Sequence, residues 1–378
     1  MGEEAWALCL TFLEQLISLN TVNPPGNEHL AAQYIAKALS GFGIACEVQP
    51  VAPGRENVIA TAPGEGQPVI LTGHLDVVPE GEGWSVPPFA LTKREDRLYG
   101  RGACDMKGGV AAMMATAVCA HREGHARPFQ LVFVADEEIY GEGTRAAIRS
   151  GKLMQDGYVI IGEPTDGGIH IAHRGVVRFR VTLRGRACHA GAPQLGVNAL
   201  SGLAQLIRAV DAVNEDLQSV LHPVLPSATM CCTLAHAGTK DNIVPGVCEA
   251  VIDCRPVPGD TPQRLEALVR RKIDSLGGMD QSMEMTFEPY VDVRAGSMAE
   301  DARIVTWAKR QYERCFGKAA RVESFPACCD LSQFTQAGFE TILYGPGSLK
   351  QAHTADEFVE AVQMEQALAF YKACLTAR

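Results

Sequence analysis

Residues 71–79 read Leu-Thr-Gly-His-Leu-Asp-Val-Val-Pro. Val69, Ile70 and Leu71 make a short apolar run of the kind that fills a buried strand, and Gly73 and Pro79 bracket its end. His74 and Asp76 stand two apart, so an extended backbone puts both side chains on one face. A neutral imidazole can ligate a divalent metal, and a nearby carboxylate can hold its tautomer or stand behind the metal. By itself, His-x-Asp is more often just the polar end of a strand. The rest of the chain changes that balance, because further acidic residues follow, each at the end of its own apolar run.

Residues 130–135 form one such run, with Asp136, Glu137 and Glu138 directly after it. Residues 158–161 form another, closed by Gly162-Glu163-Pro164. Residues 341–343 form a third and lead through a Gly- and Pro-rich loop to His353. Gly100-Arg-Gly-Ala-Cys-Asp-Met-Lys-Gly-Gly109 precedes an alanine-rich helix over 110–121. Its glycines suggest a phosphate loop, but Lys107 is followed by Gly108 rather than Ser or Thr, so that motif is excluded. Helical spacing of Trp6, Leu10, Leu13 and Ile17 opens the chain, and Asn27 is placed to cap a second helix ending near Gly41. Strands are expected around 44–48 and 57–61, a surface loop over 80–97, and a closing helix from about Glu357.

Near Arg174 the pattern changes. Val177, Phe179, Val181 and Leu183 alternate with Arg178, Arg180, Thr182 and Arg184, which predicts a strand with one wet face. A helix over 197–213, strands at 228–235 and 247–255, a helix over 262–276 and a strand around 283–287 follow. The fold class is therefore α/β. A domain with a mostly parallel sheet is expected over 1–173 and 293–378, and an α+β domain of βαββαβ-like order inserted at 174–292.

The bulk composition narrows the function. A length of 378 residues suggests about two domains. The net charge of −10, with no basic stripe, argues against a nucleic-acid partner. No apolar run is long enough to span a membrane, and the N-terminus does not read as a signal peptide, so a cytoplasmic location is expected. Thirteen cysteines without a Cys-x-x-Cys pair point to reduced thiols.

His74, Asp76, Asp105, Glu137, Glu138, Glu163 and His353 all stand just past apolar strands or at a helix start. In an open α/β sheet, sites form outside the carboxyl ends of the strands. So many carboxylates in one place would repel, and two divalent metals would cancel their charge. Two imidazoles with carboxylates suit zinc, and cobalt or manganese are possible substitutes. Successive side chains point differently, so one member of the Glu137-Glu138 pair can bind metal while the other serves as a general base. Each residue also has a plainer explanation: a helix N-terminal turn for Glu137 and Glu138, an N-cap for Asp105, a turn for Glu163, a surface histidine for His353. The combination is far more specific than any part.

Gly73-His-Leu-Asp76, Gly100–Gly109, Asp136-Glu-Glu138, Ile161-Gly-Glu-Pro164 and Gln351-Ala-His353 together resemble the metallo-aminoacylase and M20 peptidase family, which includes acetylornithine deacetylase, succinyl-diaminopimelate desuccinylase, aminoacylase-1 and the glutamate carboxypeptidases. The motifs occur in family order along essentially the whole chain. The resemblance implies that His74, Asp105 and Glu163 bind one metal and Asp105, Glu138 and His353 the other, with Asp105 bridging. It also implies that Asp76 orients His74, that Glu137 is the base, and that the peptide after Asp105 is cis. The inserted domain would be a lid that also dimerises the chain. Ala187-Cys-His-Ala190 resembles the segment whose histidine, here His189, reaches the partner's active site. Asn242 and Arg255 match residues that bind substrate and its carboxylate; a surface ion pair between Arg255 and Asp253 is the plainer alternative.

The expected activity is removal of an N-acyl group from a small-molecule amino acid by a homodimeric dizinc amide hydrolase. The Gly345–His353 stretch looks most like the acetylornithine deacetylase branch. A succinyl-diaminopimelate desuccinylase, a dipeptidase or a carboxypeptidase on the same scaffold are alternatives, and a silent binding protein is disfavoured by the intact Glu137 and histidines. Cys328-Cys329-Asp330 departs from the family pattern beside the substrate pocket. A serine hydrolase is disfavoured by the absence of a Gly-x-Ser-x-Gly elbow.

Overall fold

A computed structural model describes residues 2–124 and 127–376. Two compact units divide the chain: one falls within Met1–Ile171, Met298–Phe325 and Cys329–Arg378, the other is Ala172–Ser297 with Pro326–Cys328.

The first unit opens with α1 (Glu3–Ser18), which buries Phe12, Leu13, Leu16 and Ile17. Helix α2 (Glu28–Gly41) begins at Asn27 as expected, but the Asn27 side chain makes no capping bond. Its backbone (φ −141°, ψ 35°) lacks the extended geometry that aims a cap at the first turn. Then come β1 (Ala45–Ala52), β2 (Arg55–Ala62), β3 (Val69–His74), β4 (Thr92–Arg94), β5 (Arg97–Tyr99), α3 (Lys107–Glu123), β6 (Phe129–Val134), α4 (Glu142–Arg149), β7 (Tyr158–Ile161) and β8 (Ile169–His173). In the second unit lie β9 (Val176–Arg184), β10 (Cys188–His189), α5 (Ala199–Gln218), β11 (Thr229–Ala237), β12 (Ile243–Val244), β13 (Val247–Arg255), α6 (Pro262–Ser275), β14 (Glu284–Val293) and β15 (Gly296–Ser297). The chain closes with α7 (Arg303–Phe316), β16 (Val322–Phe325), α8 (Leu331–Gln336), β17 (Thr341–Leu343), β18 (Phe358–Glu360) and α9 (Ala361–Thr376).

The main sheet of the first unit runs β1-β2-β6-β3-β7-β17-β8, with β16 also beside β8. Its middle is parallel: β3 pairs in parallel with β6 and β7, and β17 with β7. The flanking pairs β1–β2, β2–β6 and β17–β8 are antiparallel. Every residue of β3, β6, β7 and β17 is buried, as befits strands covered on both faces. Helix α3 is buried almost all round, so its apolar residues need no wet face. Its first residue, Lys107, is fully buried, and Nζ donates to the carbonyls of Leu16 and Leu19 at the end of α1, where no phosphate is in reach.

Two expectations need correction. The loop expected over 80–97 contains β4, which pairs with β5, and β5 pairs with β18. The closing helix consequently starts at Ala361 rather than near Glu357. Three-residue strands are too short to show a period, and the β4–β5 turn uses Glu95 at φ 52°, without the glycine that usually marks a turn.

The second unit is a four-stranded antiparallel sheet, β11-β13-β9-β14. Val177, Phe179, Val181 and Leu183 of β9 are buried as the alternation predicts, in a core with Leu203, Leu206 and Val210 of α5 and Leu265, Val269 and Ile273 of α6. Asn198 caps α5 through Leu200 N–H, and Thr261 caps α6 through Arg264 N–H. Strand β9 lies inside this sheet. It is flanked by β13 and β14, and the open edges are β11 and β14.

Candidate metal centre

The parallel strands β3, β6, β7 and β17 finish at the same side of the main sheet, and each delivers chemistry just past its last residue. His74 ends β3, Asp136-Glu137-Glu138 follows β6, Glu163 follows β7, and the loop after β17 leads to His353. Asp105 arrives from the turn in front of α3, and the Asp105–Met106 peptide is cis.

Asp105 stands between the two imidazoles. Its Oδ1 is 3.0 Å from His74 Nε2, and its Oδ2 is 3.4 Å from His353 Nε2. His353 Nε2 is also 3.2 Å from the Glu138 carboxylate, and His74 Nε2 is 4.0 Å from Glu163 Oε1. His74, Asp105 and Glu138 have ligating atoms within 4.8 Å of one another, as do His74, Glu137 and Glu163. The Glu137 carboxylate has no hydrogen-bond or ion-pair partner among the described residues.

Asp76 does hold His74, but through its main-chain carbonyl, 2.9 Å from His74 Nδ1. Its carboxylate lies farther away, at 3.6 Å. Because β3 ends at His74, Asp76 is past the extended backbone that would have stacked the two side chains. The carboxylate accepts instead the N–H groups of Glu137 and Glu138, both at 3.1 Å, and Asn23 Nδ2 at 2.9 Å. It therefore fixes the backbone of the two glutamates. Asp136, at φ 68°, is tied down by Arg55 and Asn23.

Burial sets the electrostatics. It raises Glu137, Glu138 and Glu163 above the usual carboxylate range, and for Glu137 the charges of Glu163, Asp330 and Glu138 add to the effect. Burial would raise Asp105 too, but the hydrogen bonds from His353 and His74 outweigh it and hold Asp105 below its ordinary value. Burial works against a proton on His74, yet Asp105 and Glu163 raise it; hydrogen bonds to Asp105 and Glu138 lift His353 to about 10. Among the described residues, the ion-pair partners of Asp76, Asp105, Glu138 and Glu163 are these imidazoles alone. The carboxylates of Asp105, Glu138 and Glu163, the two imidazoles and, among the described residues, no paired Lys or Arg make a donor set that fits divalent cations.

The remaining expected residues lie in the second unit. His189, on β10, is exposed, and its Nδ1 accepts the N–H of Gly191 at 3.0 Å. Its ladder partner is Ile243 on β12, next to exposed Asn242, whose carbonyl accepts Ala190 N–H at 3.0 Å. Arg255 makes the plainer contact, donating from Nε to Asp253 Oδ1 at 2.8 Å, while Arg178 holds the other oxygen at 2.8 Å. Several residues of the first unit went unnoticed in the sequence. Arg55 and Asn23 lacked any signal, being a lone arginine and part of a turn. Asp330, which the sequence marks only as part of the departing Cys328-Cys329-Asp330 stretch, accepts Thr144 Oγ1, and burial lifts its carboxyl to about 6. Glu357 was read only as a helix start, although it is completely buried.

The family model for peptidases M20/M25/M40 matches residues 70–377. An acetylornithine deacetylase of Vibrio cholerae serotype O1 is 32% identical over 364 residues, covering 93% of this chain and 93% of that protein. A probable succinyl-diaminopimelate desuccinylase of Staphylococcus aureus is 27% identical over 385 residues, covering 93% and 92%. Aminopeptidase PepT from Bacillus cereus has the same fold, with a TM-score of 0.78 at 18% identity over 98% of both chains. So does Bacillus subtilis YXEP, described as a dinuclear metal binding peptidase, with a TM-score of 0.71 at 17% identity over 98% of both.

Proposed function

This chain belongs to peptidase family M20/M25/M40 and is a hydrolase of amide bonds; from that premise we propose that it is a dizinc enzyme that removes the acyl group from an N-acyl amino acid, with N-acetylornithine as first substrate. The observation that carries this is Asp105 held between His74 and His353, with Glu163 beside one imidazole and Glu138 beside the other. We assign His74, Asp105 and Glu163 to one zinc and Asp105, Glu138 and His353 to the second; cobalt or manganese would fit the same donors. Bound there, the ions would polarise the amide carbonyl and acidify water.

The protein's own groups do the rest. Glu137, whose carboxylate is unpartnered and whose backbone Asp76 holds, takes the proton of the attacking water and returns it to the leaving amine. We assign Arg255 and Asn242 to the substrate's α-carboxylate and polar groups, and His189 of a second copy to the developing oxyanion. A homodimer formed through the second unit is supported by the open β11 edge, where Leu234 is 58% exposed. Thirteen free thiols accord with a cytoplasmic location. Identity of 32% to the acetylornithine deacetylase against 27% to the desuccinylase, at equal coverage of this chain, favours acetyl over succinyl substrates; the desuccinylase relative keeps N-succinyl-diaminopimelate as the second reading. Metal analysis combined with kcat/KM on N-acetylornithine, N-succinyl-diaminopimelate and dipeptides tests the proposal. Two equivalents of zinc and a preference for N-acetylornithine are expected. Preference for the succinylated compound overturns the ranking, and negligible turnover of every acyl amino acid overturns the activity.

A further inference from the structure

The loop that carries Asp105 has no regular secondary structure, yet three of its main-chain N–H groups and the Arg101 guanidinium converge on one buried carboxylate. Glu357 Oε1 accepts the N–H groups of Cys104 (2.9 Å) and Asp105 (3.0 Å). Glu357 Oε2 accepts the N–H of Gly102 (3.0 Å) and Nη1 of Arg101 (2.6 Å). The other end of the Arg101 guanidinium is fixed by the carbonyls of Pro79 and Glu80. Gly102 makes the turn possible: its φ is +83°, and a Cβ there would sit 2.7 Å from Val77 Cγ1. Hydrogen bonds to an ionised acceptor are stronger than neutral ones, and Glu357 is fully buried, so a lost one leaves a desolvated group behind.

Glu357 also lies four residues beyond His353, in the same short stretch before β18. One side chain thus ties the segment bearing His353 to the loop bearing Asp105. We infer that Glu357 is a positioning residue that sets the Asp105 carboxylate against the His353 imidazole, fixing their 3.4 Å separation. This rests on the proposed assignment of both groups to one metal. Glu357 contributes no ligand: its oxygens are spent on the loop. Its effect reaches the site through Asp105, which also stands 3.0 Å from His74, and falls hardest on the pairing of Asp105 with His353, because Glu357 ties both of their segments.

The test uses the full chain, stripped of metal and titrated with zinc against a chromophoric chelator, so that the two stepwise affinities are read without catalysis. Glu357→Gln keeps the shape but turns one acceptor into an NH₂ donor facing donors. Because Asp105 serves both zincs but Glu357 ties two ligands of the second set, Asp105 and His353, and only one of the first, a folded Glu357→Gln protein is expected to bind one zinc about 10–100-fold more weakly and the other with a clearly smaller loss. Excess zinc should restore kcat with KM little changed. Two unchanged affinities, or an equal loss of both, overturn the inference. If Glu357→Gln does not fold, Glu357→Asp, which keeps the charge but falls one methylene short of the loop, should show the same selective loss at smaller size, and unchanged affinities there overturn the inference equally. A wild-type chain that binds fewer than two zinc ions overturns the metal-site proposal itself, which separates the two failures.

Discussion

Gly109 stands in the first turn of α3, facing the backbone just ahead of Glu163. Replacing it by Ala would put a Cβ 2.5 Å from the carbonyl oxygen of Gly162 and 3.3 Å from its carbon. Ordinary contact starts near 3.4 Å, so the two segments must part by about 0.9 Å. Helix α3 has little room to retreat, because it is buried almost throughout its length. On its other side, Gly162 is crowded by Gly345, where a Cβ would lie 2.1 Å from the same oxygen. The displacement therefore falls on Gly162 and Glu163. Overpacking of this kind costs about 1–3 kcal/mol, and the gain in helix propensity offsets at most about 1 kcal/mol. Net destabilisation of the metal-free protein should be on the order of 1 kcal/mol. The larger effect should be on metal, since site geometry tolerates only about 0.5 Å; zinc affinity should fall by at least about 10-fold. Urea unfolding of the metal-free protein and chelator competition measure the two quantities. A Gly109→Ala protein that is more stable than wild type and binds zinc unchanged would refute the argument.

Glu137→Gln should lose at least about 10²–10⁴-fold in kcat while keeping its metal content, because a base is removed without a ligand; loss of metal with rate regained on reconstitution would contradict the assignment. Mixing Glu137→Ala with His189→Ala subunits should recover part of the activity if His189 acts across a dimer, and no recovery after confirmed subunit exchange argues against it. Glu28 is buried with Oε2 unpartnered among the described residues, and desolvation lifts its carboxyl from the usual 4.5 to about 7. Its folded-state pKa is raised, so its contribution to stability is complete below about 4.5 and is lost as pH rises through about 7. Glu28→Gln should flatten the decline in unfolding free energy of the metal-free protein between those values; an unaltered slope would count against this account.

The strands that carry the site were legible because burial on both faces writes a continuous apolar run. Residues 158–161 and 341–343 coincide with β7 and β17, and 247–255 with β13. The polar residues after these runs, with Asp105 just ahead of α3, are the ones the sequence points to, and the fold brings His74, Asp105, Glu137, Glu138, Glu163 and His353 together. What stayed hidden is what holds them. Asn23 and Arg55 act through bonds to the Asp76 and Asp136 carboxylates, and Glu357 through main-chain N–H groups, all distant in sequence, as Glu357 and Asp105 are at a separation of 252, and no local period records such contacts. Asp76 was picked for the right neighbourhood, but its carboxylate serves the Glu137 and Glu138 amides, since β3 ends before it.

The interruption of the first unit by residues 172–297 has a consequence for synthesis on the ribosome. Strand β7 is made early, but its parallel neighbour β17 emerges roughly 180 residues later, about 9–36 s at about 5–20 residues per second. Throughout that interval the fully apolar residues 158–161 present an unpaired edge, the kind of template on which nascent chains aggregate. Asp105, Glu137, Glu138 and Glu163 have by then been made, while His353 and Glu357 have not. The closing stretch of the chain therefore completes the sheet, supplies the second imidazole and clamps the Asp105 loop within the same few seconds of translation, so a ribosome that stalls before residue 341 leaves a chain that can neither bury its central strand nor finish its metal-binding cluster.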